Sequence, residues 1–212
     1  VRALVASPLL LVAALAGCAS AGKAPVLDRG EPTTLDYAPL AVGASWTYAL
    51  NFQGQTGERT VSIVEEKGGY FVDSEKGELR HTREGLRDRS RYLLRHPLRA
   101  GESWKAVLSA SAVERYRIVS VGEPCESLAG RFDDCLTVEA TVRRDAQVSL
   151  QSRFVWARGV GLVKIETAVE LAGKGLVPQT SQSLVRSTKG TGPRPGSTSA
   201  EADDDGPDSW GR

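Results

Sequence analysis

The sequence predicts an all-β fold: a single curved antiparallel sheet of about nine or ten strands, shaped as an open barrel or a sandwich. Three observations predict it. Apolar and polar residues alternate with period two over several long stretches, glycine-marked turns separate many of them, and no stretch carries the long 3.6-residue periodicity of an amphipathic helix.

The alternation is cleanest in the second half. Leu136, Val138, Ala140 and Val142 oppose Thr137, Glu139 and Thr141. Leu150, Phe154 and Trp156 oppose Gln151 and Arg153. Val163, Ile165, Val169 and Leu171 oppose Lys164, Glu166 and Glu170. Each is the pattern of a strand with one face in a core and one in water. Segments 46–52, 58–65, 69–73, 89–94, 103–109 and 113–121 are further strands with weaker alternation. Gly54, Gly57, Gly68-Gly69, Gly77, Gly101 and Gly159 supply turns.

One octapeptide occurs twice. Pro39-Leu40-Ala41-Val42-Gly43-Ala44-Ser45-Trp46 and Pro97-Leu98-Arg99-Ala100-Gly101-Glu102-Ser103-Trp104 agree at five of eight positions. Proline fixes φ, glycine permits a tight bend, and the tryptophan opens a strand. The repeat suggests two similar β halves. Trp46 and Trp104 are either core residues, the simpler reading, or a paired aromatic floor for a ligand.

The N-terminus is of another character. Arg2 is the one charge before an apolar run, Leu9 to Leu15, which is too short for the roughly 20 residues of a transmembrane helix. A basic start, a short apolar core and small residues make a secretory signal. The run ends in Leu15-Ala16-Gly17-Cys18, which resembles the lipobox of bacterial lipoproteins. That resemblance implies cleavage between Gly17 and Cys18, with acyl chains, palmitate among them, on the new N-terminal Cys18. Residue 19 is alanine rather than aspartate, which by the same resemblance implies an outer-membrane lipoprotein facing the periplasm. The expected organisation is therefore a signal peptide over 1–17, lipidated cysteine and flexible tether over 18–36, a β-rich domain over 37–186 and a disordered tail over 187–212. The tether composition is Ala/Gly/Pro without periodicity, and fully extended it spans roughly 60 Å. The tail combines Gly, Pro and Ser with the acidic run Asp203–Asp205, which reads as solvated rather than as a calcium loop.

Removal of Arg2 with the signal leaves 26 basic against 26 acidic residues. A neutral chain carries no field for nucleic acid. With Cys18 given to lipid, Cys125 and Cys135 remain, and an even pair in an oxidising compartment reads as a disulfide; a metal site is disfavoured because no histidine lies nearby. The densest basic stretch holds Arg83, Arg87, Arg89, Arg91, Arg95 and Arg99. If 87–94 is extended, Arg87, Arg89 and Arg91 share a face that suits lipid phosphates or an anionic glycan. With Glu84 and Asp88 beside them, they equally make an ordinary solvated face.

No catalytic, cofactor or metal constellation is legible. The chain has two histidines, His81 and His96, and lacks a nucleophile elbow, a zinc-protease motif, a phosphate loop and a dinucleotide fingerprint. Glu65-Glu66 and Asp133-Asp134 are adjacent, so on strands they point to opposite faces.

The ordered set of motifs resembles a group of uncharacterised bacterial exported proteins and lipoproteins. It comprises the Tyr37-to-Trp46 opening, the Pro97-to-Trp104 repeat, Ala129-Gly130-Arg131-Phe132-Asp133-Asp134-Cys135-Leu136-Thr137-Val138, and Phe154 to Val163 with its Gly-Val-Gly turn. The resemblance covers most of residues 37–167 and implies a β-rich domain without assigned catalytic residues. The functional expectation is a non-catalytic envelope lipoprotein that binds an apolar ligand, a lipid or a partner protein. The alternatives are a structural or assembly component without a ligand site and, less favoured, a hydrolase.

Overall fold

The computed structural model describes residues 30–109 and 112–195. A one-turn helix, α1 (Thr34–Tyr37), precedes twelve strands. These are β1 (Ser45–Phe52), β2 (Gln55–Lys67), β3 (Tyr70–Asp73), β4 (Glu78–Thr82), β5 (Gly85–Arg87) and β6 (Tyr92–Arg95) in the first half. The second half holds β7 (Ser103–Ser109), β8 (Ala112–Ser127), β9 (Gly130–Arg143), β10 (Val148–Ala157), β11 (Gly161–Leu171) and β12 (Gly175–Thr188). They form one antiparallel sheet in the order β6-β5-β4-β3-β2-β1-β12-β11-β10-β9-β8-β7, nearly closed into a barrel.

Three strands exceed those expected from alternation, and each lacks a local signal. β5 is three residues long. β4 is Glu-Leu-Arg-His-Thr, with a single apolar residue. β12 contains Pro178, which normally argues against a strand. The proline is accommodated beside a bulge: Ala168 pairs with Pro178 and Thr167 with Thr180, leaving Gln179 as the extra residue.

The duplicated octapeptide is a structural repeat. Gly43 and Gly101 both have positive φ, at 87° and 93°. The amides of Gly43 and Gly101 donate to the carbonyls of Ile63 and Ile118, at 2.9 and 2.8 Å. The amides of Ile63 and Ile118 donate back to Ala44 and Glu102, each at 2.9 Å. Leu40 and Leu98 are buried, and Trp46 and Trp104 start β1 and β7 with their rings in the core. Each motif thus launches a six-stranded meander, and the two meanders join where β1 pairs with β12 along its length.

The opposite junction, β6 against β7, is a seam held by side chains. Trp104 Nε1–H donates to the Tyr92 carbonyl at 2.9 Å. Its indole stacks on Tyr116, centroids 5.0 Å apart and planes within 3°. Tyr116 OH donates to the buried Glu114 carboxylate at 2.6 Å, and Arg91 pairs with the same carboxylate from the β6 side. Burial first, and then the bond to Glu114, raise the Tyr116 phenol well above its usual range, so it remains a donor.

The core lies on the inner face, from Trp46 and Tyr48 through Leu184, Val163, Trp156, Val138 and Ile118 to Trp104. The outer face of β8 to β11 carries Arg115, Arg117, Glu139, Arg153, Lys164 and Glu166. This is the inverse of a transmembrane barrel, whose apolar side chains face outward. Among the described residues no helix is long and apolar enough to cross a membrane.

Ordered structure reaches further at both ends than the expected domain of 37–186. Residues 31–36 belong to the α1 region rather than to a tether, because Asp36 accepts the Thr33 amide at 2.8 Å and fixes the helix start. At the other end β12 runs to Thr188, and residues 189–195 pack as a strap along the 41–44 turn. The Gly192 amide donates to Val42 O at 3.1 Å and the Val42 amide to Pro193 O at 3.2 Å.

Candidate apolar binding site

Helix α1 closes one end of the barrel, and two clusters clamp it there. On one side Tyr37 OH donates to Asp134 at 2.6 Å. Arg158 bridges Asp134 at 3.0 Å and Asp36 at 3.2 Å. Burial opposes ionisation of Asp36, but Thr33 and the Arg158 guanidinium outweigh it and hold the carboxyl below its usual range. On the other side His81, on β4, reaches up between Thr34 and Ala38. Its Nε2 lies 2.8 Å from the Ala38 carbonyl, which can only accept, so Nε2 carries the proton. Nδ1 then accepts from Thr34 Oγ1 at 3.0 Å. Burial depresses the imidazole pKa, against the pull of the Ala38 carbonyl, and keeps the ring neutral. Both ring nitrogens are engaged in holding α1, so His81 is not poised as a base for a substrate.

Between α1, the 39–44 turn and the strap lies a cleft of about 440 Å³. Leu35, Leu40, Trp46 and Val160 form its apolar walls, and among the described residues Lys189 and Arg194 are the charged ones that line it. Trp46 is fixed there by donating Nε1–H to Val160 O at 2.7 Å. The strap can lie this close because residue 190 is glycine: a Cβ there would sit 2.5 Å from Val42 O and 2.6 Å from the Ala44 amide. The volume falls within the range of small-molecule sites, roughly 300–1,000 Å³.

A second apolar surface lies at the opposite end. Val142, Leu150, Val169 and Val177 stand in register across β9, β10, β11 and β12. They share the core face but are only partly covered, and Val177 is 40% exposed. Phe52, one row below on β1, is 52% exposed. β3 to β6 are only three to five residues long, a low wall that among the described residues leaves this row partly uncovered.

The structure distributes the residues singled out from sequence as follows. Trp46 and Trp104 are buried, with both indoles bonded to backbone carbonyls; Trp46 also lines the cleft and Trp104 belongs to the seam. The three arginines do not share a strand face. Arg87 ends β5 and β6 begins at Tyr92, because the Asp88 carboxylate accepts from the Ser90 and Arg91 amides and turns the chain. Arg87 donates to the Asp88 and Arg89 carbonyls, Arg89 pairs with Glu78 and covers the Tyr70 ring at 4.1 Å, and Arg91 pairs with Asp88 and Glu114. Asp88 and the Arg89 carbonyl are local partners, whereas Glu78, Tyr70 and Glu114 come from other strands and were invisible to local reading. Cys125 and Cys135 form a disulfide within the β8–β9 hairpin. That hairpin's tip folds over the outer face, where the Leu128 and Ala129 amides donate to Ser183 Oγ at 3.0 Å and Leu184 O at 2.6 Å. Gly17, Cys18 and the tail from 196 onward lie outside the described residues.

Two groups stand out that sequence reasoning missed. His81 carried no motif, and its role depends on a helix 43 residues away. Trp156 Nε1, buried in the core, has no hydrogen-bond partner among the described residues. Among those residues no group of three or more His, Cys, Asp or Glu side chains is placed to hold a metal ion.

The chain matches no family model and no curated protein. Two solved structures are similar to it in shape. One is described as an exported protein with a YmcC-like fold from Bacteroides fragilis, at 13% identity and TM-score 0.42, covering 72% of this chain and 99% of that one. The other is described as a lipoprotein from Parabacteroides distasonis, at 12% identity and TM-score 0.41, covering 74% of this chain and 100% of that one. At these values neither description carries over to this chain.

Proposed function

We propose that this chain is an exported lipoprotein, held by acyl chains on Cys18 at the outer membrane and facing the periplasm, whose non-catalytic β-domain takes up an apolar ligand in the cleft beside α1. The cleft is the observation that supports ligand uptake: it is of ligand size, walled by Leu35, Leu40, Trp46 and Val160, and framed by the α1 clamps and the strap. The Leu15-to-Cys18 motif supports the anchor, and the disulfide suits an oxidising compartment. The engagement of His81 by Thr34 and Ala38 supports a binding role over hydrolysis.

Two measurements test this reading. Radiolabelled palmitate is expected on the wild type and absent from Cys18→Ala; equal label on both would overturn the anchor. A naphthylamine dye that fluoresces in apolar surroundings is expected to bind the wild type and lose affinity in Leu35→Asp, a change at a half-exposed wall residue. Unchanged dye binding would overturn the site.

A second reading rests on the row Val142, Leu150, Val169 and Val177. A partly covered apolar strip at an open barrel end suits a protein partner, which would make the domain an assembly component of an envelope complex.

A further inference from the structure

The outer face of β7 to β9 gathers cations without matching carboxylates. Lys105, Arg115, Arg117 and Arg143 are all exposed there, and among the described residues none of the four is in an ion pair. Lys105 stands directly opposite Arg115 across the β7–β8 ladder. Arg117 is opposite Glu139, but Glu139 pairs with Arg153 on the next strand, at 3.9 Å. The Asp145 carboxylate accepts the Gln147 and Val148 amides, and Arg143 donates to the Asp145 carbonyl instead. Like charges directly opposite on a sheet destabilise it, so the fold alone gives no reason for Lys105 to face Arg115.

Apolar side chains interleave with these charges. Val107, two residues from Lys105 on the same face of β7, is 72% exposed, and Val119, two residues from Arg117 on β8, is 38% exposed. β7 ends the strand order, which puts this ridge at a margin of the sheet. Cations with apolar side chains between them complement an anionic bilayer, which presents phosphates above an apolar boundary. A soluble polyanion would neutralise the cations and leave the valines in water. We propose that the outer face of β7 and β8 docks on an anionic phospholipid surface, with Lys105, Arg115 and Arg117 against headgroup phosphates and Val107 at the acyl boundary. The proposal rests on the Cys18 anchor to bring the domain within reach of a membrane, and adds which face the domain turns to the lipid.

The test is co-sedimentation of the full-length Cys18→Ala chain with vesicles of phosphatidylcholine alone and of phosphatidylcholine mixed with phosphatidylglycerol, at low salt. The readout is the ratio of the two affinities, in which the apolar N-terminus cancels because it meets both kinds of vesicle. Anionic vesicles are expected to be favoured roughly tenfold or more, since each Lys or Arg near such a surface contributes about a fivefold factor. Lys105→Gln, Arg115→Gln and Arg117→Gln together are expected to remove most of that preference. Lys67→Gln, Lys76→Gln and Lys174→Gln together, an equal change of charge at exposed sites elsewhere, are expected to keep it. Val107→Asp is expected to weaken binding to the anionic vesicles. No preference for anionic vesicles, or equal loss in the two triple variants, would overturn the docking face. Tighter binding to soluble polyglutamate than to the anionic vesicles, lost in the first triple variant, would make the partner an acidic protein and overturn the lipid assignment. Failure of the anchor is read separately, from palmitate labelling, and leaves this ratio unchanged.

Discussion

Three buried tryptophans offer a controlled test of how the barrel is held. Trp46, Trp104 and Trp156 are all less than a tenth exposed, yet they differ in hydrogen bonding. Trp46 and Trp104 donate to Val160 O and Tyr92 O at 2.7 and 2.9 Å, whereas Trp156 Nε1 has no partner among the described residues. Substitution by phenylalanine removes similar ring volume in each case, which costs about 1–2 kcal/mol in lost burial and residual cavity. At Trp104 the change also removes a bond that spans the β6–β7 seam, adding about 1 kcal/mol. Trp104→Phe is therefore expected to destabilise by about 2–3 kcal/mol, and Trp46→Phe by a similar amount. At Trp156 the change relieves a buried, unpaired donor, whose burial costs about 1–3 kcal/mol, so Trp156→Phe is expected to fall within about 1 kcal/mol of wild type. Urea unfolding of the three variants reads this directly from midpoints at a common m-value. Amide exchange should rise around Tyr92 and Trp104 in Trp104→Phe and stay unchanged there in Trp156→Phe. Equal losses in all three variants, or a Trp104→Phe that leaves seam exchange untouched, would refute the view that indole N–H bonds close the barrel.

Two further outcomes follow from the same structure. Reduction of the Cys125–Cys135 disulfide, or its replacement by paired alanines, is expected to lower stability by about 3 kcal/mol, the chain-entropy value for so short a loop; a thiol assay on the unreduced protein should find neither cysteine free. His81 has a folded pKa below its ordinary value of about 6.5. The unfolded chain therefore binds more protons as pH falls from there, so stability is full above about pH 6.5 and declines as pH drops toward the folded pKa. Carboxylates held below their usual range, Asp36 and Asp88 among them, add their own loss only at more acid pH. His81→Gln, which keeps a donor for Ala38 O and an acceptor for Thr34, is expected to flatten the first decline in pH-dependent urea unfolding and leave the second.

Legibility in the sequence followed the range of the interactions. Strands β9, β10 and β11 were readable because each has one face in the core and one in water, and alternation is the local trace of that fact. β12 was not, since its place between β1 and β11 depends on two neighbours and a bulge at Gln179, and its own residues are largely polar with Pro178 among them. The repeated octapeptide was readable as two similar halves because the turn chemistry is written locally in Pro, Gly and Trp. The seam was not readable, because Arg91 in the turn before β6, Tyr92 on β6, Trp104 on β7, and Glu114 and Tyr116 on β8 meet only when the sheet curls. The same holds for the cleft. Leu35, Leu40, Trp46, Val160 and Lys189 lie on separate chain segments with no common spacing, and the strap carrying Lys189 has the Ser/Gly/Pro composition of a tail. Composition foretold disorder there, whereas Gly190 and Gly192 are used for close approach to Val42.

The cleft and the open apolar row give opposite answers to one measurement. In a ¹H–¹⁵N correlation spectrum of the domain titrated with dodecanoate, the account expects shifts at the Trp46 indole N–H, Gly159, Val160 and the amides of residues 187–192. Shifts confined to Val142, Leu150, Val169 and Val177, or no shifts at all, would contradict it.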